Sequence, residues 1–385
     1  MSAQPIYLDN NATTRPLPEV MEAMAACLRD TWGNPSSMHA AGAAAKAVLN
    51  RARAQVAALL NAAPAEIVFT SGATESNHTA ILGALGAQAG KTHIVASAVE
   101  HPSSLKLFEY LDGLGFSVTR IGVDAEGAID PSAFATAIRP DTALVSLMWA
   151  NNETGAIHPL AEVAELCRAR GVLCHTDAVQ AVGRLETDVR QVPVDLLSFS
   201  AHKLHGPSGV GALYIRKGVN IGPLLHGHQE RKRRGGTENL PGIAGFGVAA
   251  EILAEGWRRE SLRVGVLRDR FEAELLSWLP LAHINARGVP RLSNTSNFRL
   301  GDIDAEIILD RLDKAGIQAS SGSACTAGGT EPSHVLAAMG QDEAQALAAV
   351  RFSFGRDNAL EDVARVIGLL RAIAESVTGP QAVAA

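Results

Sequence analysis

Short apolar runs recur at regular intervals through the first half of the chain. Strand-like segments fall at 66–70, 92–97, 117–121, 143–149, 171–176, 195–200 and 210–215. Stretches with helical spacing separate them, such as Leu160–Arg170. Such runs are typical of strands covered on both faces, and their alternation with helices predicts an α/β fold with a seven-stranded, mostly parallel sheet. From Thr237 to about Leu279 the spacing turns helical, and Ala40–Lys46 reads as a helix start because alanine has the best helix propensity. A smaller α+β section follows, with strands near 295–300 and 350–354 and helices near 304–315 and 359–376. No internal repeat or low-complexity linker interrupts the chain.

Bulk properties narrow the class. A length of 385 residues suggests two or three domains, each with its own core. The net charge of -6 argues against a nucleic-acid surface, which needs a concentrated basic face. The short basic run Arg231–Arg234 reads as a solvated face. No apolar run reaches the roughly 20 residues of a membrane span, and the N-terminus lacks the pattern of a secretory signal. Cys27, Cys167, Cys174 and Cys325 have no paired spacing, which fits free thiols in a reducing cytoplasm. The first three sit in apolar helix or strand patterns and read as packing residues.

Three features carry chemistry. Lys203 lies on a tight turn between the runs 195–199 and 210–215, shielded enough to lose its proton, as a Schiff-base lysine must. Asp177 closes the preceding strand and could hold a pyridinium nitrogen protonated. Ser71-Gly-Ala-Thr74 joins a strand to a helix and offers backbone N–H groups to a phosphate. Each alone has an ordinary structural reading. In this order on an α/β chain they favour pyridoxal 5'-phosphate as cofactor. Ser320–Thr330 is a run of small residues that can bury no core, so it reads as a flexible loop that exposes Cys325. Arg351, inside the apolar run 350–354, is costly to bury unless a salt bridge or a ligand carboxylate satisfies it. His202/His205 and His226/His228 have spacings open to a metal, but nothing completes a site, and no metal is expected.

The chain resembles the cysteine desulfurases of the NifS/IscS type nearly end to end. The resemblance rests on Tyr7–Thr14, Gly33–Ser37, Ser71–Ser76, Val99–Pro102, Asn151–Gly155, His175–Gln180, Ser200–Lys203, Gly236–Asn239 and Ser320–Cys325. The long Ser320–Cys325 stretch looks like the branch with a mobile cysteine loop. The resemblance implies the fold-type-I architecture, with 15–256 as the large cofactor domain. Residues 1–14 and 257–385 would form the small domain carrying the loop at about 320–332. It implies that Lys203 holds the cofactor, Asp177 its ring nitrogen and Gln180 its phenolic oxygen, with His101 stacked on the ring as an acid–base group. Ala73, Thr74, Ser200 and His202 would hold the phosphate, with Thr237 supplied by the second subunit of a homodimer. Leu225–Glu230 carries one glycine before His228, where the family usually has at least two, which leaves the course of that loop open. Asn152 and Arg351 would bind the carboxylate of L-cysteine, with Arg356 as the fallback. Cys325 would take the sulfur as a persulfide and pass it to an iron–sulfur scaffold, nitrogenase-specific or general, or to another acceptor such as a tRNA thiolation relay. Another pyridoxal phosphate activity, such as a selenocysteine lyase or aminotransferase, and a non-catalytic sulfur-transfer scaffold are the competing readings.

Overall fold

Alternate residues of the central strands feed two separate cores. Ile67, Phe69, Val95, Val145, Leu197, Phe199 and Ala212 face one side, where Leu49, Val56, Val163, Ile243 and Phe246 cover them. Val68, Ile94, Ala96, Leu144, Leu196 and Leu213 face the other, under Ala80, Ile81, Leu107 and Phe108. Both faces are therefore apolar, which is why these strands read as unbroken runs. The structure, a computed structural model, describes residues 5–321 and 331–378. Cys325 lies outside the described residues.

The first strand, β1, is Ile6–Tyr7. The large sheet comprises β2 (Ile67–Thr70), β3 (His93–Ser97), β4 (Ser117–Ile121), β5 (Thr142–Ser146), β6 (Leu173–Asp177), β7 (Leu196–Ser200) and β8 (Gly211–Ile215), in the order β2-β8-β7-β6-β5-β3-β4. Its pairs are parallel except those of β8, which runs antiparallel to both β2 and β7. Residues 201–210 are too few for a crossover, so the chain turns back on itself after β7. That reversal places the start of β8 beside the ends of β2 and β7. The carboxyl ends of the parallel strands thus share one edge with Gly211, and ligand sites of open α/β sheets form there.

A second sheet joins β9 (Ala282–Ile284), β10 (Thr295–Leu300), β12 (Ser320–Ser321) and β13 (Val350–Ser353), while β11 (Ile317–Gln318) pairs with β1. Its core takes Ile6 and Leu8 from the N-terminal strip together with Phe271, Phe298, Ile308, Phe352 and Leu370. One helix, Leu240–Trp278, runs between the two halves of the molecule. Its first turns pack Leu240, Ile243 and Phe246 into the large-sheet core, and its last pack Leu267, Phe271 and Leu275 into the second. Cys27, Cys167 and Cys174 are buried free thiols, as their apolar settings predict. No helix among the described residues is long and apolar enough to cross a membrane.

Candidate active site

The strand ends and the N-terminal strip enclose a cavity of about 480 Å³, within the range of small-molecule sites. Ala73, Thr74, His101, Asn152, Asp177, Gln180, Ser200, His202, Lys203 and Arg351 all line it. Thr237 does not; it is exposed on the segment before the long helix. Arg356 does not line the cavity either.

At one wall, β2 ends in Ser71-Gly72 and the helix Ala73–Gly86 begins. First-turn N–H groups have no partner within their own helix, and the helix dipole adds positive potential there. Glu75 in that turn accepts the Ser71 N–H at 2.9 Å and pairs with Arg234 at 2.9 Å. A Cβ on Gly72 would meet no atom within 4 Å, and Gly72 lines the cavity. A Cβ on Gly211 would lie 2.7 Å from the Gly72 backbone. Only glycine lets β8 pass this close beneath the turn.

Asp177 ends β6, nearly buried, with two donors on its carboxylate: the Val179 N–H at 3.0 Å and the Asn77 amide at 2.8 Å. Lys203 ends a 3-10 turn, Ala201–Lys203, and its Nζ donates to the carbonyls of Asn11 and Ala12. The N-terminal strip closes over this turn, since Thr14 donates through N–H and hydroxyl to the His202 carbonyl at 2.9 and 2.8 Å. His101 caps the helix Pro102–Gly113, its Nδ1 accepting the Ser103 N–H at 3.1 Å. Burial lowers its pKa, Lys203 and His334 add to the effect, and Asp177 opposes it. His202 falls to about 4 through burial and the Lys203 charge. Both rings are neutral at pH 7. Gln180 donates to the Asn11 carbonyl at 3.0 Å and accepts from Arg184 at 2.5 Å.

Arg351 is paired with Asp9 at 2.7 Å and donates to the Asn152 carbonyl at 3.2 Å. Its Nε has no hydrogen-bond partner among the described residues. The salt bridge weighed for this arginine is therefore real, and one buried donor remains for a ligand. Burial raises the pKa of two acids behind the cavity: Glu100 to about 8 and Glu153 to about 7. Glu100 accepts the Met148 N–H at 2.6 Å, and Glu153 accepts the Ser333 hydroxyl. Asp9, Asn77, Glu100, Glu153 and Ser103 drew no separate notice in the sequence. Each is a polar residue in a loop or helix start, and only its distant partners mark it out. Among the described residues no three His, Cys, Asp or Glu side chains group to hold a metal ion.

The residues present fit pyridoxal 5'-phosphate. An open anion-binding turn, a lysine, a doubly hydrogen-bonded carboxylate and an arginine with a spare donor line a single cavity. The chain belongs to the aminotransferase class-V family, whose model matches residues 6–366. A cysteine desulfurase of Gluconacetobacter diazotrophicus is 51% identical over 371 residues, covering 96% of this chain and 93% of that one. A solved NifS-like protein superposes with a TM-score of 0.89 at 36% identity, covering 97% of this chain and all of that one. Another structure, described as SspA in complex with cysteine, has a TM-score of 0.81 at 35% identity and covers 91% and 99% of the two chains. Within the family, the activity is that of a cysteine desulfurase, dependent on pyridoxal phosphate and acting on L-cysteine.

Proposed function

We propose that this cavity carries out the desulfuration with the roles the residues suggest. What supports the reading most is that Lys203, Asp177 and the Ser71–Thr74 turn, 132 residues apart at their extremes (203 − 71), line the same cavity. When bound, pyridoxal phosphate supplies an electron sink for the carbanion at the substrate α-carbon. Ala73, Thr74, Ser200 and His202 hold its phosphate, and Asp177 and Gln180 hold its ring. His101 lies against the ring. Arg351, whose Nε has no partner among the described residues, and Asn152 hold the substrate carboxylate. Lys203 would hold the cofactor through its aldehyde and, as an amine, would take and return the proton of the substrate α-carbon.

Cys325 thiolate takes the substrate sulfur. The S–S bond forms as the substrate's Cβ–S bond breaks, the electron pair stays with the three-carbon fragment, and protonation of that fragment yields L-alanine. The persulfide passes to an iron–sulfur scaffold or another sulfur-acceptor protein in the cytoplasm. The active form is a homodimer in which Thr237 completes the neighbour's phosphate site. Thr237's exposure and the exposed Leu28, Trp32 and Met38 support that arrangement.

The test is borohydride reduction with peptide mapping, together with alanine release by Cys325→Ala. Cofactor on Lys203, no alanine from the variant and an added sulfur on wild-type Cys325 bear the reading out. Cofactor on another lysine, or alanine from Cys325→Ala at near wild-type rate, overturns it.

A further inference from the structure

Asn77 sits one turn into the helix Ala73–Gly86 and is fully buried. Its amide nitrogen has two protons and the structure uses both: one bond runs to Asp177 Oδ2 at 2.8 Å, the other to Ser103 Oγ at 3.2 Å. The Ser103 hydroxyl, having accepted from Asn77, directs its own proton to His101 Nδ1, 2.9 Å away. The Ser103 N–H reaches the same nitrogen at 3.1 Å. Nδ1 is thereby fixed as an acceptor, and the proton of the neutral ring resides on Nε2. Asn77 Oδ1, by contrast, is buried with no partner among the described residues. An unpaired buried carbonyl is costly, a burden that a plain packing residue such as leucine would avoid.

We propose that Asn77 is a positioning residue that sets two site groups at once: the orientation of the Asp177 carboxylate and, through Ser103, the tautomer of His101. The same helix that presents the phosphate turn at its first residues thus fixes both ring contacts one turn later. The proposal rests on the reading that Asp177 and His101 touch the cofactor. His101 also faces the charges of Asp177, Lys203 and His334, and the relay acts against that background.

Without the Asn77 amide, the Ser103 hydroxyl is free to turn its proton away from Nδ1; the Ser103 N–H still holds that nitrogen as an acceptor, but with one donor fewer the neutral ring is less favoured and protonation of His101 becomes easier. Asp177 loses one of its two donors. The experiment is ¹⁵N-histidine NMR on the cofactor-free protein, paired with pyridoxal phosphate titration by absorbance. Asn77→Ala should raise the share of the other His101 tautomer, raise its titration midpoint by roughly 0.5–1 pH unit and weaken cofactor binding by about 10-fold, as for a lost hydrogen bond to a charged group. In the Ser103→Ala background the same substitution should add little further shift at His101.

Should Asn77→Ala not fold, Asn77→Ser, whose short hydroxyl cannot serve both partners, carries the same expectations. Unchanged tautomer and midpoint overturn the proposal, as does an equal shift with Ser103 removed. A His101 response without loss of cofactor affinity overturns the Asp177 arm. The underlying reading fails separately, if Asp177→Asn binds the cofactor as tightly as wild type.

Discussion

Arg351 is almost wholly enclosed, yet its three nitrogens are used unequally, with Asp9 and a backbone carbonyl on two and no partner among the described residues on the third. A lysine would keep the charge but lose the planar fork that can serve Asp9 and a substrate carboxylate together. Arg351→Lys is therefore expected to raise KM for cysteine by about 10-fold or more, with a smaller change in kcat. Steady-state kinetics decides it, and an unchanged KM would remove Arg351 from substrate binding.

Glu100 makes a prediction of opposite character, since it is a site neighbour that destabilises. Burial raises its pKa to about 8, from 4.5 when unburied. Between those values the unfolded chain gives up the proton and the folded chain keeps it, so stability falls as pH rises. Glu100→Gln removes this dependence. Its stability relative to wild type should grow from pH 4.5 to 8, by up to about 1.4 kcal/mol per unit, and stay flat below. Urea midpoints at pH 5 and 8 measure it. His158 and His175, each lowered to about 4 by burial, pull the other way and weaken the fold as pH falls below 6.5.

Lys203 and Arg351 were legible in the sequence because a charge in or beside an apolar run is an anomaly. Asp9 and Asn77 were not, because ordinary polar residues gain meaning only from partners such as Arg351, 342 residues away, and Asp177, 100 away.

At the scale of elements, the seven long strands were readable from composition, and their observed bounds differ from the expected ones by only a few residues. The strands β1, β11 and β12 have two residues each, too few for any periodicity to register. The reversal of β8 was open to inference from loop length, but its consequence, the contact between Gly211 and Gly72, needs coordinates. Gly211→Ala would drive a methyl group into immovable backbone. It should shift the phosphate turn and weaken pyridoxal phosphate binding by about 10-fold or more, with the strand itself retained. Equilibrium titration against circular dichroism separates the two, and wild-type affinity would show that the turn has slack.

The segment before Thr237 is also built from strain that no pattern announces. Glu230, Arg231 and Lys232 hold φ of 46°, 59° and 67° in succession, a conformation unfavourable for side-chain-bearing residues. The buried Arg53–Glu230 pair and the bonds from Arg231 to the Ala65 and Ile67 carbonyls hold the segment there. Sequence reading took Arg231–Arg234 for a solvated face. In the structure Arg231 and Lys232 are exposed as that reading expects, yet Arg231 also fastens the segment to the Ala65 and Ile67 carbonyls and Arg234 fastens it to Glu75.

Across the whole molecule, a shared cluster of Val99, Ala156, Ala286, Val335 and Leu336 lies between the large-sheet core and the second-sheet core, and we propose that the lobes divide near residue 256, within one helix rather than at a loop. That helix has 39 residues and spans about 58 Å. Neither core can melt without stripping the packing from half of it. The chain should therefore absorb heat as one unit, with calorimetric and van't Hoff enthalpies in agreement. Gly256 sits in the helix near its middle, with open space where a side chain would be. Gly256→Ala should strengthen the mechanical link by up to about 1 kcal/mol. Gly256→Pro, which snaps the helix, should split the single endotherm into two. A two-peaked trace from the wild type would overturn the coupling; a single peak that splits in Gly256→Pro makes the helix a shaft through which each half of the enzyme helps keep the other from melting.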